Sequence, residues 1–138
     1  MGASLLVNID VDDLAKAEAF YVKAFGLKPT RRFGDGGVEL MGGGAPIYLL
    51  VKAAGSRALK LGQQTRTYAR HWTPVHLDFV VTDIKAAVVH AQAAGATLEG
   101  EMETHNWGYI AHMADPFGHG ICLVEFRNRG YDEVSTPA

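Results

Sequence analysis

The sequence predicts an α+β fold of two βαβββ units whose mixed four-stranded sheets pair to enclose a ligand cleft. Three observations carry that expectation. The stretch Asn106–Phe126, NWGYIAHMADPFGHGICLVEF, reads as two strands folded back on each other. Tyr109, Ala111 and Met113 alternate with Gly108, Ile110 and His112, the period of two that sends successive side chains to opposite faces of a strand. Asp115-Pro116-Phe117-Gly118 breaks the run with turn residues, and Ile121–Phe126 returns. A strand followed by an amphipathic helix occurs twice. Finally, landmark pairs (Asp13 and Asp83, Gly26 and Gly95, Ile47 and Ile121) recur at a spacing of roughly 70 residues, and a repeat of that kind decides architecture.

In the first unit, residues 4–51, Leu5–Val11 forms a strand with Val7, Ile9 and Val11 on one face and Leu6, Asn8 and Asp10 on the other. Asp12 or Asp13 caps a helix over Leu14–Phe25, whose Leu14, Ala17, Phe20, Tyr21, Ala24 and Phe25 make one apolar stripe. Gly26 falls where a left-handed C-terminal cap belongs. Arg31–Gly37 and Val38–Met41 are Gly-interrupted strand candidates, and Pro46–Val51 is a clear strand. Residues 52–74 connect the units and carry Lys52, Arg57, Lys60, Arg66 and Arg70 with no Asp or Glu. Such a connection is a solvated linker or a lid that brings Arg or Trp72 to an acidic ligand. The second unit, residues 75–127, restarts with a strand over His76–Val81. A helix capped at Thr82 or Asp83 runs over Ile84, Ala87, Val88 and Ala91 and closes at Gly95. A strand over Ala96–Glu103 then leads into the hairpin. The tail, residues 128–138, is polar and expected to fray.

The bulk numbers exclude several classes of function. A chain of 138 residues is one domain's worth, with 48% hydrophobic and 20% charged residues as in ordinary globular proteins. A net charge of -2 gives no electrostatic reason to bind nucleic acid or an anionic membrane. The one cysteine, Cys122, excludes an internal disulfide and a multi-cysteine zinc site. No apolar run reaches the ~20 residues that cross a bilayer. MGASLL has neither a cationic segment nor an apolar core, so no secretory signal is expected and a cytoplasmic location is.

Taken together, Val11-Asp12-Asp13-Leu14 and Val81-Thr82-Asp83-Ile84 at the helix starts, AFYVKAFGL at 19–27 and WGYIAHMADPFGHG at 107–120 resemble the vicinal-oxygen-chelate superfamily. That superfamily holds glyoxalase I, extradiol dioxygenases, fosfomycin-resistance transferases and bleomycin-resistance proteins. In its metal-dependent members, the resemblance implies ligands at the start of each unit's first strand and on its last strand. The last-strand ligand is usually a Glu seven residues after the Asp of the DP-x-G turn. Carried onto this chain, those positions are His76 and Cys122 in the second unit, Leu6 and Tyr48 in the first. Open catalytic sites want three ligands from His, Asp and Glu, so this set implies binding without a metal. His76 and Cys122 alone would hold a soft ion weakly, and a divalent metal at that site is the alternative. Glu125, three residues beyond Cys122, falls on the other face or at the sheet edge.

Alternation places Asn8, Asp10, Tyr48, His76, Asp78, Ile110, His112 and Cys122 on the cleft faces, with Trp72 and Trp107 near the rim. His76 and His112 are the candidate general bases, set against the plainer role of a histidine bonded to a carboxylate such as Asp78 or Asp10. Cys122 is weighed as a small buried hydrophobe against a nucleophile, and His119 as a turn residue. The expected function is small-molecule binding in the cleft without metal, as in the bleomycin-resistance branch. The alternative is an enzyme of lyase, isomerase or dioxygenase type using a divalent metal or a His base. A homodimer is expected, since each sheet leaves an edge open and members of the superfamily commonly dimerise.

Overall fold

A computed structural model describes residues 2–138 and divides the chain into two compact units, one ending at Ala69 and one spanning Arg70–Ala138. In the first, β1 (Val7–Val11), α1 (Leu14–Phe25), β2 (Lys28–Arg32), β3 (Gly37–Met41) and β4 (Ile47–Val51) form a sheet of order β1-β4-β3-β2. β1 and β4 run parallel and the other pairs antiparallel. The helix bounds follow from its caps. Asp13 accepts from the Lys16 amide at 3.1 Å, satisfying a first-turn donor, and Gly26 at φ 65 closes the helix with its amide on the Val22 carbonyl. Ala17, Phe20, Tyr21 and Ala24 of α1 are buried, as are Ile9, Val11, Val38, Leu40 and Leu49 of the sheet. The Phe20 and Tyr21 rings meet edge to face at 4.9 Å. Each of the larger apolar side chains, such as Phe20, Val38, Leu40 and Leu49, contributes on the order of 1.5–3 kcal/mol by leaving water.

The second unit repeats the plan with β5 (Leu77–Val80), α2 (Ile84–Ala94), β6 (Thr97–Leu98), β7 (Glu103–His105), β8 (Gly108–Ala114) and β9 (Gly120–Phe126). Its sheet runs β5-β9-β8-β6, with β7 also on β8. The repeat holds at the level of register: Val7 faces Ile47 across β1–β4, and Leu77 faces Ile121 across β5–β9. Asp83 caps α2 through the Ala86 amide at 3.1 Å. The hairpin turn is held by Asp115, whose Oδ1 accepts from the amides of Phe117 at 2.8 Å and His119 at 2.9 Å.

The structure differs from the sequence expectation at four places. The second strand of the first unit is Lys28–Arg32, so the expected strand over Arg31–Gly37 overlaps it only at Arg31 and Arg32; residues 33–36 form the turn, and Gly37 opens β3. The polar sequence KPTRR hides β2, and Pro29 is tolerated because β2 is an edge strand. Ala96–Glu103 is broken into β6 and the start of β7, with Gly100 between them at φ 78. The tail carries a 3-10 turn, Gly130–Glu133, whose Tyr131 ring packs on Trp107 at 5.1 Å and Phe126 at 4.8 Å. The cations of 52–74 are not all without counter-charge. Arg66 pairs with Asp10 at 2.7 Å, and Arg70 pairs with Glu99.

The face of the first sheet away from α1 carries a closed network. Buried Glu39 accepts from Thr30 Oγ1 at 2.8 Å, Arg31 Nε at 3.0 Å and Tyr48 Oη at 2.5 Å. The Tyr48 hydroxyl, followed by the Thr30 hydroxyl, holds the Glu39 carboxyl below its ordinary value. A depressed folded value contributes stability that is complete above the unfolded value of 4.5 and is lost as pH falls through the lower folded one. Urea unfolding of the parent and Glu39→Gln should therefore differ most near neutral pH, with the gap narrowing in acid. An equal gap at both ends would mean that the charge of Glu39 is not what the network holds.

Candidate functional site

Strand pairing in the second unit lines up Asp78, Cys122 and His112 on the face opposite α2: Asp78 is in register with Cys122, and Cys122 with His112. His76 lies just before β5, two residues from Asp78 and therefore on the same side. The segment that precedes it crosses the end of β9. His71 makes a parallel bridge to His119, and Trp72 lies directly on Gly120, where a Cβ would come within 2.4 Å of the indole. The Trp72 ring meets the His76 ring edge-on at 5.4 Å and the His112 ring at 5.8 Å. Arg70 packs over the indole at 4.8 Å, and Glu99 accepts from both Trp72 Nε1, at 3.2 Å, and Arg70. This strap is thus fastened at a break in the neighbouring strand.

Each histidine faces a carboxylate. His76 Nε2 stands 3.2 Å from Asp78 Oδ1, and His112 Nδ1 stands 3.4 Å from Glu103 Oε2. Glu103 also faces His105 at 3.4 Å. The partner of His76 is the expected Asp78; that of His112 is Glu103, brought by pairing of Glu103 with Ile110 across β7–β8. Cys122 is buried and forms the floor, and burial, reinforced by the neighbouring Asp78, pushes its thiol up to about 12. At neutral pH that sulfur is a thiol and a poor nucleophile. Arg70, and then the Trp72 N–H, hold the Glu99 carboxyl below its usual range against the opposing effect of burial.

The structure therefore brings Trp72, His76, Asp78, His112 and Cys122 together, with Ile110 half-buried one row along β8. Trp107 belongs to a different cluster. Its ring stacks on His105 at 5.1 Å and packs with Phe126 and Tyr131. Asn8 and Tyr48 face each other in the first unit's sheet, where Asn8 is exposed and the Tyr48 hydroxyl is engaged by Glu39. Glu125 is in register with Tyr109, off the Cys122 face. Sequence reasoning missed Glu99 and Glu103: Glu99 follows β6 and bonds its amide to the His112 carbonyl at 2.8 Å, and Glu103 opens β7 in register with Ile110.

The sequence profile of the glyoxalase-like domain matches residues 6–124. The chain belongs to that family. It is 31% identical over 135 residues to the uncharacterized protein Mb0911c of Mycobacterium bovis, covering 95% of this chain and 89% of the relative. Among solved structures it is similar to the fosfomycin resistance protein FosX from Listeria monocytogenes, with TM-score 0.70 at 14% identity, over 92% of this chain and 95% of that one. It is also similar to a glyoxalase/bleomycin resistance protein/dioxygenase family enzyme from Burkholderia phytofirmans, with TM-score 0.69 at 21% identity, over 91% and 100%. At those identities the likeness is one of fold alone. The match to the glyoxalase-like domain is what bears out the resemblance to the vicinal-oxygen-chelate superfamily.

The four ligand positions carried over from metal-dependent members of that superfamily do not fit a hard divalent ion here. Leu6 offers no donor and is 53% exposed, Tyr48 is already hydrogen-bonded to Glu39, and Cys122 stands where a carboxylate is usual. No helix among the described residues is long and apolar enough to cross a membrane.

Proposed function

We propose that this glyoxalase-like protein binds a small organic molecule on the open face of its second unit, without a catalytic metal. The observation that carries this reading is the furnishing of that face. Half-exposed Trp72, His76, Asp78 and His112 surround a buried thiol, offering ring surface and hydrogen-bonding groups together. A thermal-shift screen of small organic molecules tests it, run in parallel with chelator and with manganese. Ligands should raise the melting temperature of the parent equally in both conditions and should lose most of that effect with His76→Ala, a change at a solvent-exposed side chain. Stabilisation seen only with manganese would overturn the metal-free reading.

One arrangement favours catalysis as a second reading. Glu103 engages Nδ1 of His112 and so leaves Nε2 as the atom to take a proton, the geometry of a general base oriented by a carboxylate. Turnover of a bound ligand that disappears with His112→Ala while binding persists would move this reading ahead.

A further inference from the structure

Charge is divided unevenly between the two units. Residues 1–69 hold nine Lys or Arg against six Asp or Glu, and residues 70–138 hold four against nine. The open face of the second unit shares in that excess. Asp78 and Glu103 have histidines there, not Lys or Arg, as their ion-pair partners: His76 at 3.2 Å, and His105 and His112 at 3.4 Å each. With histidines counted neutral at pH 7, the two carboxylates carry two unbalanced negative charges. We propose that this face selects an organic dication, a short diamine or diamidine lying across β9 and β8 with one cationic end at Asp78 and the other at Glu103. The inference rests on the small-molecule reading of that face and names the class of its ligand.

The cations of this unit are spent or placed elsewhere. Arg70 is bonded to Glu99 and stacked over Trp72. Arg127 packs over Tyr109, which points to the other side of β8 from His112. Arg129 is bonded to Glu133, and Lys85 lies on α2. An anionic ligand would therefore meet no free positive group of the second unit, whereas a cationic one meets two carboxylates. Their placement sets the ligand's shape. Asp78 stands on β5 and Glu103 on β7, with β9 and β8 between them. Three strand spacings put the two backbones about 14 Å apart. One metal ion, with bonds of about 2 Å, does not take both carboxylates across that span, but an organic chain or ring does. The two side chains, 36% and 51% exposed, face each other over a shared floor. Burial first, then Asp78 and, after it, Glu103 push the Cys122 thiol up, so both charges are felt at that floor. Cys122 and half-buried Ile110, flanked by the His76 and His112 rings, give the body of the ligand an apolar surface to lie on.

The test is calorimetric titration of the full chain, in chelator, with three probes of one shape: para-xylylenediamine, the neutral para-xylylene glycol and the anionic terephthalate. The diamine should bind most tightly and terephthalate should not bind. Benzylamine, with one ammonium group, should bind about threefold to fivefold more weakly than the diamine, the worth of one exposed ion pair. Asp78→Asn and Glu103→Gln are isosteric changes at exposed side chains. Each should bring the diamine down to the affinity of benzylamine and leave the glycol unaffected. Failure of the diamine to bind, glycol or terephthalate binding as tightly as the diamine, or diamine affinity unchanged in both variants would overturn the dication assignment. A glycol signal lost with His76→Ala would keep the small-molecule reading even then, so the two fail separately.

Discussion

Asp115→Ala is expected to destabilise the protein by about 3 kcal/mol, read as a lower urea midpoint with an unchanged slope. Asp115 is buried, and a single oxygen, Oδ1, accepts from the amides of Phe117 and His119. Hydrogen bonds to a charged acceptor are worth roughly 1.5–3 kcal/mol each, and alanine leaves a buried amide without its partner. Because one oxygen takes both bonds, Asp115→Asn keeps an acceptor for both and loses only the charge. Its cost should be about 1 kcal/mol. Equal losses for the two variants would show that the charge, not the acceptor oxygen, holds the turn.

That turn illustrates what the sequence reveals and what it hides. DPFG announces a reversal through residue types alone, and α1 was legible to its last residue because Asp13 and Gly26 mark both ends. The Asp78–Cys122–His112 row was equally legible, since alternation fixes faces once a strand is recognised. β2 was not, because an edge strand of polar residues leaves no hydrophobic signature. Glu39 with Tyr48, and Glu103 with His112, depend on which strands become neighbours and in what register, which local periodicity does not encode. The counter-charges of Arg66 and Arg70 come from Asp10 and Glu99, 56 and 29 residues away in sequence. A charge count over 52–74 could not find them.

The repeat makes the difference between the units informative. Matching register sets Asn8 and Tyr48 where the second unit has Asp78 and Cys122, and Glu39 where it has His112. In the first unit those positions lock together through a 2.5 Å bond from Tyr48 to Glu39, a network with its acceptors used. In the second they leave two histidine–carboxylate pairs at the surface beside an indole. One fold thus yields a closed polar network in one copy and an exposed, hydrogen-bonding face in the other, which is why the proposed site is assigned to the second.

Gly120→Ala should expel Trp72 from that face, destabilising the protein by about 1–3 kcal/mol and weakening ligand binding with it. The added Cβ would lie 2.4 Å from Trp72 Cδ2, 2.5 Å from Cε3 and 2.7 Å from Cε2, distances no real contact sustains. The Gly120 backbone needs no positive φ, so alanine is excluded only by the ring above it. The ring cannot yield easily, because Glu99 holds its N–H and the His71–His119 bridge pins the residue before it. Tryptophan fluorescence should shift to the red as Trp72 enters water. The decisive measurement is the double-mutant cycle with Trp72→Ala. Removing the indole removes the collision, so Gly120→Ala should then be nearly neutral, leaving a coupling of about 1–3 kcal/mol between neighbours. If the full cost persisted without the indole, the close approach of Trp72 to Gly120 could not be what positions the ring between His76 and His112.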